Sequence, residues 1–361
     1  MSDLLEKLAG VLANFDLRGV VTKVEPWGSG HINDTYRVTV DQSGLAVHYI
    51  LQGINQNIFP NVPKLMENIL RVTSHIAARN PGDSRAALTV VPTTAGEAFY
   101  RNPADNSCWR VYLFIEGAKT YDAVTDPSQA YQAARAFGKF QCALADLPGG
   151  PLFESIVDFH HTPKRFQKFL KVLKEDKLGR AAECKKEIDF ALAHGKECAI
   201  VVDELADGRL PARVTHNDTK INNVMLDDQT GEGICVIDLD TCMPGSVLYD
   251  FGDEIRTTTM TAAEDEPDLS KVQFDIKLFE ALVQGYLSSA TFLTAEEKRL
   301  LPFSGRLLTF ECGLRFLTDY LEGDVYFKTH RPGQNLDRNR TQFELVRQME
   351  AQDSAMQALV K

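Results

Sequence analysis

The stretch VTHNDTKINNVMLDDQTGEGICVIDLD, residues 214–240, decides how the chain is read. It sets His216, Asp218 and Asn223 in a polar loop, turns at residues 230–233, and then runs an apolar segment into Asp238-Leu239-Asp240. An apolar strand that delivers carboxylates at its end can hold a metal ion. Mg²⁺ asks for hard oxygen ligands and keeps part of its water shell. A carboxylate and a carboxamide in the loop before that strand can supply a base for an acceptor hydroxyl and a further metal ligand. Asp and Asn are also common turn formers. That accounts for each residue singly, but less well for His, Asp, Asn and Asp at this spacing between apolar flanks. The stretch is expected to be a phosphoryl-transfer site, with Asp218 as the base, Asn223 and Asp238 on the metal, and His216 as a brace.

Outward from this stretch, the chain changes period. On the N-terminal side, residues 20–24, 35–40, 47–52, 88–91, 98–101 and 108–115 read as strands separated by turn-rich segments. Pro63 opens a helix with Leu65, Ile69, Val72 and Ile76 on one stripe. From residue 127 onward the pattern is mainly helical, over 127–147, 163–174, 181–193, 272–288, 295–320 and 339–360. The expected fold is α+β: a small antiparallel β lobe with one helix, residues 1–116, and a larger, mainly helical lobe, residues 117–361. Between the first two strands lies PWGSGHINDTY, residues 26–36. Gly28 and Gly30 permit a tight backbone there; taken alone, the segment reads as an ordinary hairpin turn. Residues 259–270 read as an acidic surface loop and the weakest stretch for order.

Composition bounds the partners. The 361 residues carry a formal net charge of −11 and a pI near 5.3. Nucleic acid and anionic membrane surfaces need a basic footprint, so neither is expected as the main partner. No apolar run is long enough to span a bilayer, and the first 15 residues lack the basic start and apolar block of a signal peptide. The seven cysteines are scattered without a CxxC pair, which suits reduced thiols in a cytoplasmic protein. His194 to Glu197 (HGKE) is not a phosphate-binding P-loop, no GxSxG occurs, His160-His161 is expected to serve a loop or cap, and Asp227-Asp228 to lie on a solvated hairpin turn.

HNDTKINN (216–223) followed by VIDLD (236–240) resembles the catalytic and metal motifs of the aminoglycoside phosphotransferase and choline kinase family, which has the protein-kinase-like fold. The similarity runs along nearly the whole chain toward the branch that phosphorylates N-acetylhexosamines, through GHINDTY (30–36), NIFP (57–60), WRVYLFIEG (109–117) and ECGLRFLTDYLEGDVYF (311–327). The resemblance implies ATP- and Mg²⁺-dependent phosphorylation of the anomeric (C1) hydroxyl of N-acetylglucosamine or N-acetylgalactosamine. It implies that Gly28, Ser29, Gly30 and His31 cover ATP and that Asp240 joins Asn223 and Asp238 on the metal. It also implies that Arg315 and Tyr326 hold the sugar beside Asp218. Two departures stand out. Gln52 occupies the third-strand position where kinases carry a lysine for the phosphates, which leaves more charge to Mg²⁺, loop N–H groups and His31. Thr257 stands where an aromatic residue is expected, with consequences for sugar preference. The alternatives are a kinase of choline, homoserine or an aminoglycoside, the last favoured by acidic residues 264–268, or a catalytically silent nucleotide-binding module.

Overall fold

The computed structural model describes residues 3–360 except Ser29, His31 and Thr125. Two of the residues expected to cover ATP, Ser29 and His31, therefore lie outside the described residues.

A helix α1 (Asp3–Leu12) leads into a fully antiparallel sheet ordered β1-β2-β3-β6-β4. Its strands are β1 (Val20–Pro26), β2 (Asp34–Gln42), β3 (Leu45–Ile54), β4 (Val90–Val91) and β6 (Cys108–Leu113), with β5 (Tyr100–Arg101) also paired to β6. Alternation sends Val38, Val40, Leu51 and Val111 into a core closed by Leu5, Leu8 and Leu12 of α1. The helix α2 (Val62–Arg79) starts where Asn61 accepts the backbone N–H of Lys64 and Pro63 sits in the first turn. Its expected stripe of Leu65, Ile69, Val72 and Ile76 is buried, each side chain contributing about 1.5–3 kcal/mol. The stripe does not face the sheet alone. It packs with Phe137 and Phe140 of α3 (Pro127–Leu144) and with Val224, Leu226 and Val236 of the catalytic stretch.

The helical part follows the sequence expectation closely at α4 (Thr162–Glu175), α5 (Lys185–Ala193), α8 (Ile276–Leu287) and α9 (Ala295–Glu322). The last segment is two helices, α10 (Gln334–Ala351) and α11 (Asp353–Leu359). Two helices escaped the periodicity reading, α6 (Ile200–Ala206) and α7 (Val247–Thr258). In α7 the reason is plain: residues 247–255 are all buried, Asp250, Asp253 and Glu254 included, so there is no polar face to alternate with. Gly252 lets α7 lie directly on α9; a Cβ there would fall 2.4 Å from the Ser304 carbonyl oxygen.

Two expectations change. The acidic segment 259–270 is tied down rather than loose. Glu264 faces Arg256 and Arg338, while Asp265 faces Arg331 and accepts from Gln334. Asp227, read as part of a solvated hairpin turn, is buried and accepts the backbone N–H groups of Gln229 and Thr230 and the guanidinium of Arg85.

Glu254 yields a test. It is 1 % exposed, and neither carboxylate oxygen has a hydrogen-bond partner among the described residues. Burial first, then Asp250 and Asp253, raises its pKa well above the ordinary carboxylate value. A group raised on folding favours the folded state below its unfolded pKa, and that contribution disappears as pH rises toward the folded one. Glu254→Met is expected to be more stable than the wild type by about 1–3 kcal/mol at pH 8, with a smaller gain at pH 5. Chemical denaturation at the two pH values measures the difference.

Candidate active site

The catalytic stretch folds as β8 (Arg213–Thr215), a loop, a short 3₁₀ turn Ile221–Asn223, β9 (Val224–Asp227) and β10 (Gly233–Val236). A second 3₁₀ turn, Leu239–Thr241, and β11 (Met243–Gly245) follow. β11 returns to pair with β8, so the loop after β8 and the turn after β10 are held side by side. Ile237 N–H donates to the Asn223 carbonyl at 2.9 Å and closes the same arrangement.

The loop is fixed from beneath by α7. Asp250 accepts the backbone N–H of His216 at 2.8 Å and of Asn217 at 2.6 Å, and Gln141 Nε2 donates to it as well. Asp253 accepts Thr219 N–H, and the Thr219 hydroxyl donates to the Asp250 carbonyl. Asn217 takes φ +65°, a left-handed conformation that Asn tolerates better than most residues. His216 is wholly buried, edge-on to Phe137 and Phe140. Its Nε2–H donates to the Ile237 carbonyl at 2.8 Å, and its Nδ1 accepts Asp218 N–H at 3.3 Å. That pair of bonds selects one neutral tautomer and links the loop to the strand end.

Asp218, Asn223 and Asp238 come together. Asn223 Nδ2 donates to the Asp218 carbonyl at 2.7 Å and to its carboxylate at 3.1 Å, which leaves the Asn223 amide oxygen for another partner. Asp238 sits at φ +60° as the chain enters the second 3₁₀ turn. Its side chain is reachable by water but lies deep among protein atoms. That surrounding, then the charges of Asp240 and Asp218, lifts its pKa to about 6. Lys220, which the sequence reading passed over, places Nζ 3.1 Å from the Asp218 carboxylate. Burial acts against its charge, but Asp218 and Asp253 prevail and raise its pKa. Its position two residues after Asp218 was the available signal.

Asp240, expected as a metal ligand, has partners within the chain. Both of its oxygens are already engaged, by Arg110 at 2.5 and 2.9 Å and by Asn33 Nδ2 at 2.6 Å. Gln52 likewise has partners within the sheet. Its Oε1 accepts from Arg110 Nε at 3.0 Å and NH2 at 2.9 Å, and its Nε2 donates to the Thr35 hydroxyl. Arg110 is the residue the sequence reading missed. A lone arginine inside the apolar strand CWRVYL was its only mark.

Gly28, at φ +79°, and Gly30 lie in open space. Beside them, Trp27 is covered by Arg37 and meets Phe114, just after β6, edge-on.

Arg315 and Tyr326 also meet. The guanidinium of Arg315 lies 5.9 Å from the Tyr326 ring and 5.4 Å from Phe327. Both residues line a cavity of about 240 Å³ with Asp158, Lys164 and Arg165 of the α4 region. Asp319 shapes one wall by accepting the N–H groups of Val325, Tyr326 and Phe327. The cavity connects to the catalytic loop through Glu311, which holds His160, whose Nε2 reaches the Asn217 carbonyl. The loop or cap role expected for His160-His161 is seen here, since His160 braces the catalytic loop and His161 caps α4. Thr257 turns its hydroxyl back onto the Asp253 carbonyl.

Among the described residues no three His, Cys, Asp or Glu side chains form a metal-binding group, and no helix is long and apolar enough to cross a membrane.

Residues 23–290 match the model of the phosphotransferase enzyme family. Solved structures share the fold over nearly the whole chain. One is a microcompartment-associated aminopropanol kinase, with 18% identity over 99% of this chain and 100% of that one and a TM-score of 0.63. Another is an aminoglycoside phosphotransferase from Alicyclobacillus acidocaldarius, with 14% identity over 98% and 96% and a TM-score of 0.63. A third is a choline kinase from Cryptosporidium parvum, with 15% identity over 97% of each chain and a TM-score of 0.56. The antiparallel sheet, the helical part and the match over residues 23–290 agree: the chain belongs to the phosphotransferase enzyme family, whose members transfer a phosphoryl group to a hydroxyl.

Proposed function

We propose that the chain is an ATP- and Mg²⁺-dependent kinase of N-acetylhexosamines that forms the sugar 1-phosphate. The observation that carries the choice of acceptor is the charge lining the cavity at Arg315. No carboxylate pairs with Arg315 among the described residues. Arg165 lies beside it, its Nε 3.9 Å from the Glu311 carboxylate, beyond hydrogen-bond reach. Burial, and next the like charge of Arg315, lower the Arg165 pKa. The other cations lining the cavity, Lys164, Lys168 and Arg165, face Asp158, Glu322 and Glu311, so a cationic acceptor such as choline, aminopropanol or an aminoglycoside would meet the uncompensated guanidinium of Arg315 there. A neutral sugar offers hydroxyl and acetamide oxygens to the two guanidinium forks and a ring face to Tyr326. The acidic residues that favour an aminoglycoside on sequence grounds, Glu264 and Asp265, already face arginines of the chain itself.

The donor set suits a small hard cation. Asp238 offers a carboxylate crowded by like charges, and Asn223 offers an amide oxygen. Mg²⁺ bound there supplies positive charge to the terminal phosphates. Asp218 orients the C1 hydroxyl and takes its proton as the oxygen attacks. Lys220, at the same carboxylate, faces the negative charge that develops on the transferred group. Gly28 and Gly30 let the backbone of the β1–β2 turn approach the phosphates, and residues 1–116 act as the lobe that covers ATP over the lobe formed by 117–361.

The test is turnover with Mg·ATP against N-acetylglucosamine, N-acetylgalactosamine, choline, homoserine and kanamycin, with the products identified. A 1-phosphate formed only from the N-acetylhexosamines is expected; turnover of an amine-bearing acceptor alone would sink the sugar reading, and ATP binding without turnover would point to the silent module. Asp218→Asn is expected to lose about 10²–10⁴-fold in kcat while ATP titration shows unchanged binding. Arg315→Met should raise KM for the sugar by about 10- to 100-fold and leave KM for ATP within error, as steady-state kinetics with each substrate varied will read.

A further inference from the structure

Among the described residues, the largest fully buried side chain is a cation in the middle of the sheet. Arg110 is 1 % exposed, and burial by itself would favour loss of its proton; the Asp240 carboxylate outweighs that and holds it charged. In the register of the sheet Arg110 faces Gln52 directly, so the two side chains rise from one face at one spot. Position 52 is the third-strand site from which kinases extend a lysine. Here the site carries a neutral amide, and that amide accepts two hydrogen bonds from the guanidinium opposite.

We propose that Arg110 is the positioning cation of this enzyme, moved one strand over from the third-strand lysine site, and that it acts by holding the loop that carries Asp238 through a forked ion pair with Asp240. The inference rests on the reading of Asp238 as the metal ligand.

Three features favour this over an ion pair that serves stability alone. The carboxylate it grips lies two residues beyond Asp238, within the turn that begins with the left-handed residue Asp238, so fixing Asp240 fixes the backbone that aims Asp238. Asn33 grips the same carboxylate from the segment just after Gly30, while the Asp240 carbonyl accepts from the Ser155 hydroxyl. One acidic residue thereby joins the turn expected over the phosphates to the turn expected under the metal. Finally, the α2 residue touching the guanidinium is Met66, through its sulfur at 4.0 Å, and not an acid. Both the cation and its partner have moved: the link runs from the sheet to the metal turn instead of from the sheet to a helix. A fork is required because the guanidinium must span Gln52 and both oxygens of Asp240, which an ammonium at position 110 would not do.

The swap test follows from the register. Lysine is one bond longer than glutamine, so Lys at position 52 reaches toward Asp240 once Arg110 is gone. ATP binding is measured by calorimetry with and without Mg²⁺, with no acceptor present, alongside turnover and melting temperature. Arg110→Met is expected to weaken the magnesium-dependent part of ATP binding, and kcat, by about 10- to 100-fold, with metal-free ATP binding little changed. Arg110→Met combined with Gln52→Lys is expected to recover most of that loss. A lowered melting temperature in Arg110→Met with an unchanged magnesium requirement would mean a structural pair and overturn the inference. So would a double variant no better than Arg110→Met. If Arg110→Met does not fold, the double variant decides: recovery of fold and magnesium-dependent binding supports the inference, and failure to fold rejects it. A wild-type chain with no magnesium-dependent ATP binding would instead overturn the proposed function together with this inference.

Discussion

A single buried carboxylate, Asp250, determines where the loop with Asp218 and Asn223 can stand. Two consecutive backbone N–H groups of the loop end on it, and the left-handed turn at Asn217 that brings them there is tolerable only while they do. Such backbone strain costs on the order of 1–3 kcal/mol, and each N–H left without an acceptor would add about 1–3 kcal/mol. Burial pushes the Asp250 pKa upward, opposed by the backbone N–H groups of His216 and Asn217 and by the Gln141 amide. Gln141 completes the shell around Asp250 and is itself held by the Tyr286 hydroxyl. The loop thus hangs from three helices before any substrate arrives.

What the sequence disclosed and withheld follows from this arrangement. Strands and amphipathic helices were legible because burial on one face leaves a period, as in the stripe of α2. The loop with Asp218 and Asn223 was legible because turn chemistry alone does not put polar residues at such fixed spacing between apolar flanks. The whole of α7 was not, because a helix buried on every side has no polar face, and its acids look like surface residues until the loop they hold is seen. The surroundings of Asp240 and Gln52 were hidden for a related reason. Each was judged by its own neighbours in sequence, while its hydrogen bonds run to Arg110, which lies far from both along the chain. A charge within an otherwise apolar strand asks for a buried partner, and that demand was the one sign available.

The core also accounts for the way the sheet and the catalytic stretch behave as neighbours. The apolar side of α2 is shared with α3 and with β9 and β10. Asn68, near the middle of α2, exchanges hydrogen bonds with Phe153 and donates to the Cys242 carbonyl, just past the Leu239–Thr241 turn. Apolar packing sets the distance between these parts, and polar bonds in the same layer set their angle.

The two halves of the site are suspended from different supports. The loop rests on α7 through Asp250 and Asp253, whereas residues 325–327 rest on α9 through Asp319; Glu311 is the bridge between the two, through His160. Residues 325–327 can therefore change without disturbing the hydrogen bonds that aim Asp218. Divergence on such a frame is modular: lineages can exchange the molecule that receives the phosphoryl group while inheriting the apparatus that delivers it.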